Sequence, residues 1–298
     1  MGAEATRAGQ HRRAYAALAG ASVLWGASFP LGKLALGEMG AATLVFCRFV
    51  LAAAVLLPVV RWREVRWARR DTVLLVVCAV LCGPGMFLLQ FEGLDRTTAS
   101  SAALLVATAP PMMAVAATLF DGERPGRLTW VAVGLATLGA LLLIGAPGPG
   151  RTLLGDTLVF VSMGIATAWT LVVRRLARRV GALAATAAQF ALAAAVLVPF
   201  LWALDGVPSL SFSSGAWAAV LGLGLGCTAL TFFLWNWGLL HAEAARAGVF
   251  VNLEPLVGAA LGVAFLGEVL GPLAVAGGAV LLAAAFLATR PDRVPAAP

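Results

Sequence analysis

Residues 48–58 read RFVLAAAVLLP and residues 189–199 read QFALAAAVLVP, with eight of eleven positions identical. Alanine- and leucine-rich segments match by chance, so this pair alone carries little. The landmarks that follow it are decisive. Gly93-Leu94 pairs with Gly238-Leu239 and Pro110 with Pro255. Phe120, Gly122-Glu123 and Gly126 pair with Phe265, Gly267-Glu268 and Gly271, all at one offset of 145 residues. The chain reads as two copies of one unit, divided near GAPGPGRT (145–152).

Composition says what each copy is. The chain has 298 residues, 61% hydrophobic and only 12% charged, with a mean hydropathy of +0.94. A soluble domain carries about twice that charge. Apolar helices are predicted at about 14–36, 41–60, 72–91, 97–120, 128–146, 153–173, 181–204, 215–238, 245–266 and 270–289, most of them near the ~20 residues that cross a bilayer. They show no two-residue alternation and exceed barrel-strand length. The expected fold is an all-α integral membrane protein of ten transmembrane helices. The opening MGAEATRAGQHRRAYAALAGASVL (1–24) imitates a signal peptide, but its apolar run continues to about Leu36, long enough to remain as the first helix.

The net charge of +7 has a membrane explanation. The N-terminus, the even-numbered loops and the tail hold 17 of the 21 basic residues, including Arg61, Arg63, Arg66, Arg69 and Arg70 and the Arg174, Arg175, Arg178, Arg179 group. The odd loops hold Arg96 and Arg151, with Lys33 near the outer end of the first span. By the positive-inside rule both termini are cytoplasmic, and no nucleic-acid partner is expected. Five helices per unit is odd, so the second copy enters from the opposite side, an inverted repeat. The predicted organisation is an N-terminal tail (1–13), a first five-helix repeat (14–146), a connecting loop (147–152), a second inverted repeat (153–289) and a C-terminal tail (290–298). Cys47, Cys78, Cys82 and Cys227 all lie in apolar segments without metal-ligand spacing and read as small buried hydrophobes, so neither metal nor cofactor is expected.

WGASFPLGKLAL (25–36) in the first span, Arg48-Phe49 in the second, and the Pro-to-Gly-Glu spacing ending both the fourth and the ninth together resemble the EamA-type drug/metabolite transporters over residues 14–289. The resemblance implies a multi-pass carrier of the bacterial inner membrane that exports small metabolites such as amino acids.

Charged groups inside a bilayer are costly, at least about 2.5 kcal/mol each, so each needs a reason. Glu254 is about nine residues into its span, roughly 14 Å deep. Stepping by three and four places it on a face with Gly258, Leu261, Gly262 and Phe265, pointing into the bundle. It is a candidate substrate-amine partner or proton-coupling carboxylate, with a structural bond to backbone freed by Pro255 as the alternative. Asn252 lies on another face. Arg48, roughly 10 Å deep, either snorkels outward or binds a substrate carboxylate. Its repeat mate is Gln189. Lys33, Gln90 and Glu92 read as snorkelling surface groups, with an outer vestibule as the alternative. Trp25 and Trp169, at depth, are candidate cavity walls, whereas Trp235 and Trp237 read as an aromatic belt. Pro30, the Gly83-Pro84-Gly85 triplet, Pro110 and Pro255 are candidate bend or gating points. Gly222/Gly226 and Gly258/Gly262 have the spacing of tight helix contacts.

The function expected is alternating-access export of a small polar or zwitterionic metabolite, with proton exchange as a candidate drive and an uncoupled facilitator as the alternative. Monomer and homodimer both stay open. An intramembrane enzyme is disfavoured: the only span aspartate, Asp156, is near an outer end, and His241 is in a loop rather than beside Ser28 at depth. Glu268 has a repeat mate in Glu123 and reads as a helix-ending scaffold residue. Glu254 has none, since its partner position is Ala109.

Overall fold

The computed structural model describes residues 2–121, 127–144, 148–207, 211–241 and 250–288. Among these residues every regular element is helical: α1 Gly2–Leu36, α2 Ala41–Leu56, α3 Arg69–Asp95, α4 Ala99–Val106, α5 Ala109–Asp121, α6 Arg127–Ile144, α7 Leu153–Val180, α8 Ala182–Leu204, then α9, α10 Leu253–Leu266 and α11 Pro272–Ala288. The continuous rod α9 comprises Ser214–Leu221, Gly222–Leu230 and Thr231–His241. Six helices are long and apolar enough to cross a membrane, and four shorter apolar helices, Ala99–Met113, Trp130–Ile144, Leu253–Leu266 and Pro272–Leu287, fall where the sequence places spans 4, 5, 9 and 10. The chain is a multi-pass membrane protein.

Local chemistry sets the ends. The side chains of Thr98, Thr152 and Ser213 accept the backbone N–H groups of Ser101, Gly155 and Ala216, capping α4, α7 and α9. Asp71 accepts the N–H of Ala68 at the start of α3. Gly181 (φ 88°) follows α7 and Gly267 (φ 65°) follows α10, where the left-handed backbone that stops a helix favours glycine. Helix begins at Gly2, so the segment expected as a tail is continuous with α1.

Four departures from straight helix interrupt the expected uniform spans. The fourth span is two helices, broken at Ala107-Thr108, with Pro110 in the first turn of α5. The ninth is interrupted at Asn252, with Pro255 in the first turn of α10. Proline is tolerated there because first-turn N–H groups have no intrahelical acceptor. The third helix of each half carries a π-helical stretch, Leu81–Leu88 in α3 and Gly222–Leu230 in α9. The first contains Gly83, Pro84 and Gly85. Pro84 has no N–H for the regular ladder, so the turn widens there.

Packing exchanges the two halves. α1 packs on α9 and α10, and α7 packs on α3, α4 and α5. α2 pairs with α8, and α6 with α11. A twofold relation between halves gives this pattern, and repeat-matched residues follow it. A Cβ on Gly93 would meet the Gly155 carbonyl of α7, and one on Gly238 would meet Leu18 of α1. Phe49 and Phe190, identical positions of RFVLAAAVLLP and QFALAAAVLVP, touch each other with ring centroids 5.0 Å apart.

Hydrogen bonds gather the arginine-poor connections on one face. Asp205 accepts from Thr43, Ser213 donates to Glu38, and Thr97 and Arg151 both reach Asp156. The opposite face carries the Arg179–Asp71 ion pair. Glu123, Gly122, Gly126, Arg124, Arg246, Arg290 and Arg293 lie outside the described residues.

Candidate functional site

The helical register of α2 turns Arg48 inward. It is 1% exposed, which overturns the snorkelling reading. Its Nε donates to Thr228 Oγ1 at 2.5 Å and its Nη2 to the Cys227 carbonyl at 3.3 Å, both in the π stretch of α9. Gly224 permits that approach: a Cβ there would lie 2.7 Å from the Cβ of Leu51 and 3.2 Å from the Arg48 carbonyl. The widened turn leaves carbonyls for side chains, and Thr228 and Thr231 hydroxyls donate to Leu223 and Gly226, five residues back.

Aromatic rings enclose the guanidinium, whose central carbon sits 4.6 Å from the Phe87 centroid and 5.5 Å from that of Phe91. Phe87 meets Phe49, Phe49 meets Phe190, Phe190 meets Phe232, Phe232 meets Trp25, and Trp25 meets Trp235 at 5.1 Å. Trp235, read from the sequence as part of an aromatic belt, is half-buried and packs against Trp25. Among the described residues no carboxylate pairs with Arg48, and its Nη1 is buried with no hydrogen-bond partner.

Glu254, in the first turn of α10, is half-buried and within electrostatic reach of Arg48. Asn252, at the break before α10, is 1% exposed with both amide atoms unpartnered. α1 passes close by: a Cβ on Gly26 would lie 2.7 Å from the Glu254 carbonyl oxygen, and one on Gly258 would meet Ala103. Pro30, buried in α1, leaves the Gly26 carbonyl without its ladder donor at this crossing.

Step counting was right for Gly258 and Gly262, both buried, and wrong for Phe265, which is 77% exposed. α10 ends one residue later, and in its last turn Leu266 still packs on the core while Val263, Ala264 and Phe265 face outward. Of the two glycine pairs, Gly258/Gly262 packs tightly against α4, whereas Gly226 has open space and Gly224 makes the close contact in α9.

Trp169 and Gln189 form a separate group. Trp169 Nε1 donates to Gln189 Oε1 at 2.9 Å, and Gln189 Nε2 reaches Cys82 Sγ at 3.7 Å. Their polar groups are thus satisfied by one another and by Cys82, unlike those of Arg48 and Asn252. Lys33 is not a free snorkelling group either, because its Nζ donates to the carbonyls of Leu94, Asp95 and Thr97, each at 2.8 Å. Gln90 is buried, and Glu92 pairs with Arg96 at 2.5 Å. The sequence reading missed Thr228, the Cys227 carbonyl, Phe87 and Phe91. Phe49 and Phe190 were legible as the phenylalanines beside Arg48 and Gln189.

The model of the EamA-like transporter family matches residues 12–145 and 153–290. An uncharacterized transporter of Archaeoglobus fulgidus is 26% identical over 274 residues, 90% of this chain and 94% of the relative. A protein of Streptantibioticus cattleyicolor named a probable terminal-alkyne amino-acid exporter is 28% identical over 274 residues, 90% of each chain. One solved crystal structure superposes with a TM-score of 0.65 at 18% identity, covering 91% of this chain and 94% of the other, a likeness of fold. Matched in both of its halves, the chain belongs to the EamA-like transporter family.

Proposed function

We propose that this protein is a secondary exporter of small zwitterionic metabolites, amino acids among them, working by alternating access in the bacterial inner membrane. The observation that carries the reading is Arg48: a fully buried guanidinium with an unpartnered Nη1, no paired carboxylate among the described residues, and Glu254 within electrostatic reach. An unpaired buried charge is expensive, and a ligand carboxylate would relieve that cost by two-pronged hydrogen bonding. A ligand ammonium would then face Glu254, with Asn252 supplying donor and acceptor groups and Trp25 part of the wall. The aromatic rings strengthen these attractions by excluding water. The name of the Streptantibioticus relative agrees with such a substrate.

In this reading the ten apolar helices span the membrane with both termini cytoplasmic. Pro30, Gly83, Pro84, Gly85, Pro110 and Pro255 are the bends at which the halves rearrange, while Trp169 and Gln189 support the wall. A proton on Glu254 in the substrate-free state would couple export to the proton gradient. Uncoupled facilitation is the alternative.

Counterflow in proteoliposomes tests the assignment with an amino acid, its decarboxylated amine and its N-acetyl acid as competitors. Only the intact zwitterion should compete, and equal competition by the amine would remove Arg48 from the site. A proton gradient that fails to drive uptake while counterflow persists would select the facilitator.

A further inference from the structure

The arginine-poor face is fastened by a contact for which the transport site does not account, made by Glu268, whose repeat mate Glu123 lies outside the described residues. α10 ends at Leu266, and Gly267 in the left-handed conformation reverses the chain. Glu268 is thereby turned back on the helix start of the other half. Its Oε1 accepts the N–H of Ala99 at 2.6 Å and its Oε2 the N–H of Ser100 at 2.8 Å. Ser100 Oγ returns a bond to the Ala259 carbonyl of α10 at 3.1 Å. Gly262 makes room: a Cβ there would run into Ser100 Oγ and lie 2.6 Å from Glu268 Oε2. Glu268 takes part in ending its own helix, through its N–H returned to the Gly262 carbonyl at 3.4 Å, and its side chain has a second role. It caps α4, which lies across the repeat boundary.

Local capping is incomplete without it: Thr98 Oγ1 accepts the Ser101 N–H, and Glu268 accepts the two N–H groups before it. The same connection is gripped from the other side by Lys33 of α1, which holds the carbonyls of Leu94, Asp95 and Thr97. A cation thus sits on the carbonyl end of α3 and an anion on the N–H end of α4, each matching the local helix dipole. Both grips come from α1 and α10, the helices that cross at Gly26 and Gly258 beside Glu254. α4 has eight residues and is set off from α5 by the turn at Ala107-Thr108, whose N–H groups return to the Leu104 and Leu105 carbonyls.

We propose that Glu268 is a positioning residue of the transport cycle: its bidentate contact with Ala99 and Ser100 latches the arginine-poor face shut, and release of those N–H groups lets that face open. The proposal rests on the alternating-access reading but not on the identity of the substrate. Loss of the latch shifts the population toward the state open on that face.

Accessibility of a buried probe tests it without substrate. Ala103, fully buried under Gly258, becomes the label site as Ala103→Cys in full-length protein lacking its four native cysteines, reconstituted in vesicles. In this background Glu268→Gln should raise labelling by a membrane-impermeant maleimide from the arginine-poor face about tenfold, the size expected for a lost charge-assisted bond, and lower it from the opposite face. Gly262→Ala, which leaves the carboxylate intact but crowds it, should do the same, and it serves where Glu268→Gln does not fold. Glu268→Asp should restore part of the closed population. Faster hydrogen exchange at Ala99 and Ser100 with unchanged labelling from both faces would overturn the proposal and leave a stabilising cap. Unchanged exchange would also overturn it. If all substrate competition fails while the labelling shift occurs, the zwitterion reading falls and the latch stands.

Discussion

Replacing Arg48 with methionine should separate stability from function in opposite directions. Methionine has a similar unbranched stem and fills the space between Phe87, Phe91 and α9 without charge. The variant loses one hydrogen bond to Thr228, a long one to the Cys227 carbonyl and two cation–π contacts. Thr228 Oγ1 keeps its own acceptor in the Leu223 carbonyl, so no polar group is stranded there. A bond to a charged group contributes about 1.5–3 kcal/mol and a desolvated cation–π contact about 2 kcal/mol. Against these stands the desolvation of a guanidinium that forms no ion pair among the described residues, several kcal/mol per buried ion. Replacing buried ions with well-packed apolar groups is often neutral or stabilising by about 1–4 kcal/mol.

The expected result is an Arg48→Met protein that melts at or above the wild-type temperature in detergent and binds carboxylate-bearing substrates roughly 30- to 1000-fold more weakly. That range corresponds to about 2–4 kcal/mol, within what truncating one partner of a buried charged contact costs. Thermal unfolding followed by tryptophan fluorescence reads the first quantity, and equilibrium binding of labelled amino acid reads the second. A variant destabilised by more than about 3 kcal/mol with an unaltered substrate profile would refute the reasoning. It would make Arg48 a structural tie between α2 and α9.

Glu254→Gln should abolish proton-driven transport while leaving expression and folding intact, because glutamine preserves shape and hydrogen bonding; unchanged uptake rates would remove Glu254 from the site. Cysteines placed at the exposed positions Arg66 and Arg175 should label only from the cytoplasmic side, and external labelling at either would overturn the proposed orientation. Glu38, in the connection between α1 and α2, accepts from both the hydroxyl and the N–H of Ser213, which hold its carboxyl below the usual carboxylate range. A depressed folded-state value means that the contact stabilises above the unfolded-state value and fades as pH falls through the folded one. The melting difference between wild type and Glu38→Gln should therefore be present at pH 7 and vanish in acid below the ordinary glutamate range; a difference independent of pH would refute it.

The architecture was legible because the bilayer writes itself into composition, and because repeated glycines and prolines survive where side chains drift. Gly93 and Gly238 share the 145-residue offset, and each packs on the first helix of the opposite half. The π-helical stretches were not legible. GPG (83–85) marks a weak point in α3, yet whether the backbone kinks, breaks or widens depends on neighbours such as Ala193, which a Cβ on Gly83 would approach at 3.3 Å. The surroundings of Arg48 were hidden for the same reason, since Thr228 and Cys227 lie 180 and 179 residues away. Depth alone allowed snorkelling; only the packing of α9 at Gly224 closes that route.

Symmetry separates scaffold from chemistry more sharply than depth does. At the common offset, Asn252 corresponds to Ala107 and Glu254 to Ala109. Both halves break the helix at this place and both resume it with proline in the first turn. The break is therefore a property of the repeated scaffold, made in the first half with Thr108, whose hydroxyl donates to the Leu105 carbonyl, and without an acid or an amide side chain. Asn252 and Glu254 are not required to produce it, so their cost in an apolar setting needs another return. The same reasoning applies at Arg48 and Gln189. Both are buried on matched helices, but Gln189 is satisfied by Trp169, whereas Arg48 keeps an open Nη1. A duplicated scaffold in which one member of each matched pair is apolar or satisfied and the other carries unspent polarity concentrates its binding capacity on one side of its own twofold. Arg48, Asn252 and Glu254 are therefore the first positions at which a ligand should be sought.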